Sequence, residues 1–485
     1  MQMKKTFTQS IICSILALSA SPLTFAEVYN YVGKETYYSL DDPNSWSPKG
    51  GSSGSYEWIN GQTLIFDSNT NAGAANQVAV KYLKDGDTPD IEEIIFKTTT
   101  NVQASNSDEN TSNGLYISIK VGKVTVYTGT QDKLSTFSKI TLGELSIGAD
   151  SETPVSTSTI FSTSFNNNGN DYYYNSATDN SISADIGRVT LNGAVPTNPN
   201  DQNTTLWYIN NQASASDFNY KSGVILVNGI DGTGTVRNNF GDNVEGSTTL
   251  VFTNTSDASF KGVLMDDWDA GTKLAKLTVI MDGAENATQT IRQISTSATS
   301  VWNRNDLDSV GTIIKNGTLA VSTAGDVELS RVKLEGGALA VATRDDAGVG
   351  GTLSVRGIDW EGGEIKLAIN HTTLESATGI NQIGGEDAKY VFEVDLSDFA
   401  SDMTFEGDEY TLLLSGVEAF GDVSKYEADL IYNGAELSGI DYEILSTAYG
   451  LNIKLYGTIP EPSEVALFIG AVALVLAAYK RRLRK

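Results

Sequence analysis

Along most of the chain, apolar residues come in short β-branched runs broken by clusters of Gly, Asn, Asp, Ser and Thr. That alternation predicts strands joined by tight turns and almost no helix. Examples are Lys120-Val-Gly-Lys-Val-Thr-Val-Tyr127, Lys139-Ile-Thr-Leu-Gly-Glu-Leu-Ser-Ile147 and Gly223-Val-Ile-Leu-Val227, then Thr249-Leu-Val-Phe252 and Lys276-Leu-Thr-Val-Ile-Met281. Few prolines (9) and many glycines (46) fit numerous tight turns better than an unstructured linker.

Between residues 310 and 370 the pattern repeats. Asn316-Gly-Thr-Leu-Ala-Val321 is followed by Gly336-Gly-Ala-Leu-Ala-Val341, Gly350-Gly-Thr-Leu-Ser-Val355 and Gly362-Gly-Glu-Ile-Lys-Leu367. The aligned apolar positions Leu319, Leu339, Leu353 and Ile365 stand 20, 14 and 12 residues apart. A Gly turn feeding a short strand, with alternate residues pointing inward, is one rung of a solenoid. No rung buries its inner face alone, so rungs must stack. The predicted fold is all-β: a mostly parallel β-solenoid, or β-helix, over 27–371, with a polar insertion near 150–220. Residues 372–458 carry longer strands with wider gaps, such as Tyr390-Val-Phe-Glu-Val-Asp395 and Gly450-Leu-Asn-Ile-Lys-Leu455. They read as a C-terminal β-cap that covers the open end of the stack.

These rungs resemble the passenger-type parallel β-helix of autotransporters and the autotransporter-associated β-strand repeats. Thr248-Thr-Leu-Val-Phe-Thr253, continuing to Phe260-Lys-Gly262, has the same form, as does Trp46 followed by Trp58 and Thr63-Leu-Ile-Phe66. The departure is at the C-terminus, where an autotransporter has a large membrane barrel and this chain has one apolar segment.

Both ends break the strand pattern. At the start, Lys4-Lys5 precede an apolar run from Ile11 to Ala20, and Thr24-Phe25-Ala26 offers a cleavage site before Glu27, so 1–26 reads as a signal peptide. Cys13 follows Ile11-Ile12 rather than a small residue, which argues against a lipoprotein box. At the other end, 459–485 opens with Ile459-Pro460-Glu461-Pro462-Ser463, whose prolines stop regular structure. An uncharged run follows from Val465 to Tyr479, and then the basic residues Lys480, Arg481, Arg482, Arg484 and Lys485. At about 1.5 Å per residue a helix over 465–479 spans roughly 22 Å, short of the ~30 Å hydrocarbon core. Snorkelling of Lys480 and Arg481 covers part of the deficit, and the basic cluster stays cytoplasmic. This order of parts resembles the PEP-CTERM sorting signal, with Pro460, Glu461, Pro462 and Ser463 as the signal and the five basic residues as the stop. The resemblance implies a transmembrane helix over 465–479 and processing by an exosortase-like membrane protease after signal peptidase. It also implies delivery to the cell surface or an extracellular matrix. It carries an address and no activity.

Charge narrows the partners. The formal net charge is −27. Two of the 33 Lys and Arg lie in the leader and five in the tail, and only Glu461 and Glu464 of the 60 acidic residues lie outside 27–459; that span keeps 26 bases and 58 acids, about −32. Such a surface repels phosphate backbones, so nucleic acid is excluded as a partner. The single cysteine, Cys13, leaves with the leader, which removes disulfides and thiol chemistry from the mature chain. His371 is the only histidine, so multi-His zinc sites are excluded, and it reads as a polar turn residue.

No catalytic residue and no cofactor is assigned. Calcium is the one ion that the acidic and amide clusters invite, at Asn166-Asn-Asn-Gly-Asn-Asp171, at Asp266, Asp267 and Asp269, and at Asp345-Asp346, although none has EF-hand spacing. Tyr172, Tyr173, Tyr174, Trp207 and Tyr208 lie in a polar segment and offer faces for stacking on sugar rings. The expectation is an exported cell-surface or matrix protein of structural or adhesive type, with a surface polysaccharide as partner. The alternatives are a secreted polysaccharide-degrading enzyme and a carbohydrate-binding protein on the same scaffold.

Overall fold

The computed structural model describes residues 28–31, 37–39, 46–47, 59–67, 76–81, 88–97, 99–105, 118–137, 139–150, 158–165, 182–196, 204–212, 222–240, 247–266, 276–293, 302, 306–323, 327–342, 352–369 and 373–460, and all structural statements concern these. Their regular secondary structure is almost wholly strand, with a short 3-10 turn at Val423–Lys425. Pairing is mostly parallel, in a β-helix-like arrangement where each strand lies over one from the preceding turn of chain.

One column of side chains shows how the sequence builds this. Ile91, Val121, Leu142, Ile186, Val227, Phe252, Met281, Ile314, Leu334 and Trp360 occupy equivalent positions on ten successive strands, each in register with the next. All ten are at most 2% exposed. A single rung leaves an apolar inner face half in water; stacking buries it at roughly 1.5–3 kcal/mol per large side chain. The core formed this way is continuous from Ile59 to Ile459. Ring stacks reinforce it: Phe66 and Phe96, opposed on adjacent strands, have ring centroids 5.4 Å apart.

Gly122, Gly143 and Gly187 occupy one column where the strand turns a corner. A Cβ on Gly143 would lie 2.3 Å from the Gly122 carbonyl oxygen, and one on Gly187 1.7 Å from that of Gly143. At this corner the missing side chain is what lets consecutive backbones stack.

The four Gly-led repeats do not form one column. Leu319, Leu339 and Ile365 stack in register and continue to Phe392. Leu353 instead belongs to a second sheet, where it pairs with Val327 and Leu374. The physical reason is that each late turn of chain contains three strands, for example Arg331–Leu334, Ala338–Ala342 and Thr352–Val355. More than one of those strands carries the same inward-apolar pattern, so local similarity does not say which face a repeat joins.

Parallel pairing also runs past residue 372. Thr373–Ser376, Ile380–Gln382, Tyr390–Asp395 and Tyr426–Tyr432 each pair in parallel with a strand of the stack. Antiparallel pairing is confined to the two ends. Near the N-terminus, Tyr31 pairs with Trp46. Near the C-terminus, Thr404–Ser415 pairs with Gly450–Thr458, which pairs with Asp441–Ser446, and a short hairpin joins Tyr432 to Ala435. The region expected as a separate cap therefore begins as further rungs and only then turns back on itself.

The described core extends to Ile459. The Ile459 amide donates to the Met403 carbonyl at 2.9 Å, and its side chain is fully buried. Ile459 thus belongs to the core rather than to the tail, and Pro460 is half-buried.

Candidate functional site

A half-open trough of about 620 Å³ lies on the outside of the second sheet, near the C-terminal end. Its floor follows from alternation. On Thr352–Val355 and Thr373–Ser376, Leu353, Val355, Leu374 and Ser376 point inward, which turns Ser354 and Glu375 outward. Glu328, Ser354, Glu375 and Leu414 are consecutive in register and form one outward ladder. At about 4.8 Å per strand, the two glutamates stand about 10 Å apart along it. The Ser354 hydroxyl donates to Glu375 Oε2 at 3.2 Å.

The far wall comes from the antiparallel end. Tyr449 precedes the last strand in a tight turn where the Thr447 amide donates to the Gly450 carbonyl at 2.8 Å. Its own carbonyl accepts from the Ser415 amide at 3.0 Å, which fixes the turn beside Leu414. The Tyr449 side chain is nonetheless 71% exposed. Of the neighbouring cations, Arg356 is engaged by Asp308 at 2.6 Å, which raises its pKa further. The trough thus combines a ladder of carboxylates, a hydroxyl and Leu414 with the exposed ring of Tyr449. Both glutamates stand on the same wall, so they would lie side by side along a ligand rather than on either side of one bond, as glycosidic cleavage requires.

A second depression, about 390 Å³, lies over the glycine corner, lined by Lys120, Thr141, Asp185 and Asn228 among others. Its flanks are charge ladders. Lys120 reaches Asp90 at 2.6 Å and Lys123 reaches Glu144 at 3.1 Å, so bases alternate with acids on adjoining strands. Exposed pairs of this kind contribute up to about 1 kcal/mol each, and their main effect is to relieve repulsion in an acidic chain.

Asp132 is a carboxylate buried away from both depressions. Asp132 is 1% exposed; it accepts from the Thr100 amide at 2.8 Å and from the Thr130 hydroxyl. Burial outweighs these bonds and pushes its pKa up to about 7. Burial also lowers that of the adjacent Lys133. Near the last rungs Asp429 is shifted upward, first by burial and then by Glu364, Glu436 and Glu427.

The predicted glycan-stacking residues separate. Trp207 is fully buried in the core, so it has no face to offer a sugar, a correction to the expectation. Trp207 and Tyr208 are neighbours on one strand, where alternation sends the first inward and leaves the second half-buried. Tyr172, Tyr173 and Tyr174 lie outside the described residues, as do His371, Trp58, Asn166 to Asp171, Asp267, Asp269, Asp345 and Asp346. Asp266 is described and buried, at 3% exposure. Among the described residues there is no group of three or more His, Cys, Asp or Glu placed to hold a metal ion. No helix among them is long and apolar enough to cross a membrane. The leader and the tail beyond Pro460, with Glu461, Pro462, Ser463, Lys480, Arg481, Arg482, Arg484 and Lys485, also lie outside.

The sequence reading missed the trough because its walls come from residues as distant as Glu328 and Tyr449. The available signal was weak: a Tyr preceding Gly450, and polar residues alternating with Leu on two short strands. No protein-family model, curated protein or solved structure matches the chain.

Proposed function

We propose that this is an exported, non-enzymatic protein of the cell surface or extracellular matrix. In this reading residues 1–26 direct export, a β-solenoid body forms the exposed scaffold, and the tail from Pro460 sorts and transiently anchors it. Helix 465–479 is the membrane segment, and an exosortase-like protease acts near Pro460-Glu461-Pro462. The observation that carries the reading is the mostly parallel all-β stack, a repeating body whose core runs as far as Ile459. Ile459, the last core side chain among the described residues, immediately precedes Pro460. A protease acting at Pro-Glu-Pro, which follows Ile459 in sequence, would leave the described core whole. Four residues, Glu461 to Glu464, lie between Pro460 and the apolar run, so an anchored molecule would hold its antiparallel end near the membrane. The stack itself supports a scaffolding role, because its length is set by rungs that each contact only their neighbours.

The test is the triple change Pro460→Ala, Glu461→Ala and Pro462→Ala in a host that carries an exosortase-like protease. The expected result is accumulation of membrane-bound precursor and loss of released body. Unchanged release would remove the sorting assignment.

A further inference from the structure

We infer that the trough formed by Glu328, Ser354, Glu375, Leu414 and Tyr449 binds a neutral glycan chain. This does not depend on the tail, and it names a ligand class and a site that the sorting reading leaves open. A sugar ring has two kinds of surface: an edge of hydroxyl donors and a face of C–H groups. The trough has the complement of each. Glu328, Ser354 and Glu375 form a row of acceptors that follows the stacking direction for about 10 Å. They sit at a spacing that serves successive hydroxyls of a linear chain. At the end of that row Leu414, 37% exposed, with Tyr449, 71% exposed, in the same lining, presents the apolar surface on which a C–H face packs. A tyrosine offers such area at low cost in conformational entropy. The turn bonds that fix its backbone pre-organise it.

Charge selects within the class. Two carboxylates disfavour uronate or phosphate polymers. A cationic peptide would satisfy the carboxylates but leave the Tyr449 and Leu414 surface unused, and the glycan uses both kinds of surface. The trough is open to solvent at the junction between the last rungs and the antiparallel end, so a long polymer can lie across it without threading.

The experiment uses the full chain in mild detergent, titrated with cellohexaose, laminarihexaose and mannohexaose, and in parallel with polygalacturonate and hexalysine. Binding is read by calorimetry and by saturation transfer from protein to sugar C–H protons. The expected result is that at least one neutral hexasaccharide binds, and that Tyr449→Ala, Glu375→Gln and Glu328→Gln each weaken it tenfold or more with unchanged circular dichroism and melting. Tyr449 is mostly exposed, so its removal leaves the fold intact, which keeps the test decisive. No binding of any neutral sugar at millimolar concentration, binding indifferent to all three changes, or binding of hexalysine or polygalacturonate alone would overturn the inference. None of these results alters the prediction for the tail, so the two readings fail separately.

Discussion

Gln289 and Ile230, 59 positions apart, exchange a reciprocal pair of hydrogen bonds: the Ile230 amide donates to Gln289 Oε1 at 3.0 Å, and Gln289 Nε2 donates to the Ile230 carbonyl at 3.0 Å. The side-chain amide takes the place of a neighbouring strand's peptide group. Gln289 is fully buried, and the Asn254 amide also donates to its Oε1 at 3.2 Å. An interior polar residue is tolerated here because its donors and acceptor are used.

Gln289→Ala leaves the Ile230 amide and carbonyl buried without these partners. At about 1–3 kcal/mol for each unsatisfied group, the expected loss is about 2–5 kcal/mol of unfolding free energy, measured by urea denaturation. A loss below about 1 kcal/mol would mean that the bridge does not hold the turns together.

The glycine corner gives a second expectation. Gly143→Ala places a methyl 2.3 Å from a backbone oxygen that cannot move without shifting a rung, so about 1–3 kcal/mol of stability is lost. Gly416→Ala is the control, because nothing lies within 4 Å of its added carbon. A thermal melt of the two variants should separate them clearly.

Asp132 should make stability depend on pH. Its pKa is raised in the folded state from 3.8 to about 7, so the folded protein holds this proton more tightly than the unfolded chain. Its contribution is complete below pH 3.8 and is lost progressively as pH rises through about 7. Other carboxylates act in the opposite direction, so the comparison is with Asp132→Asn. Relative to that variant, the unchanged protein should lose on the order of a few kcal/mol between pH 4 and pH 8. A pH-independent difference between the two would contradict the buried carboxylate described here.

Much of the architecture was legible because alternation is a local property. Leu339 and Ile365 could be aligned from the sequence since a Gly turn and an apolar strand precede each core position. Leu353 carried the same signature yet faces another sheet, because the number of strands per turn is set by loop lengths and not by the strand motif. Trp207 was misplaced for a related reason: its polar surroundings suggested exposure, while its position on Thr205–Gln212 sends the ring into the core. The trough was illegible because its walls meet only when the last parallel strand and the final antiparallel turn are brought together. Register and closure depend on the whole stack.

Export and processing leave their mark at the two termini of the mature protein. The direct measurement is the intact mass, with both terminal sequences, of the protein recovered from the culture medium and from the membranes of the producing cells. The prediction is a mature N-terminus at Glu27 and, in the released form, a C-terminus close to Pro460 with the segment through Lys485 removed. Protein confined to the cytoplasm with Met1 to Lys485 intact would contradict it.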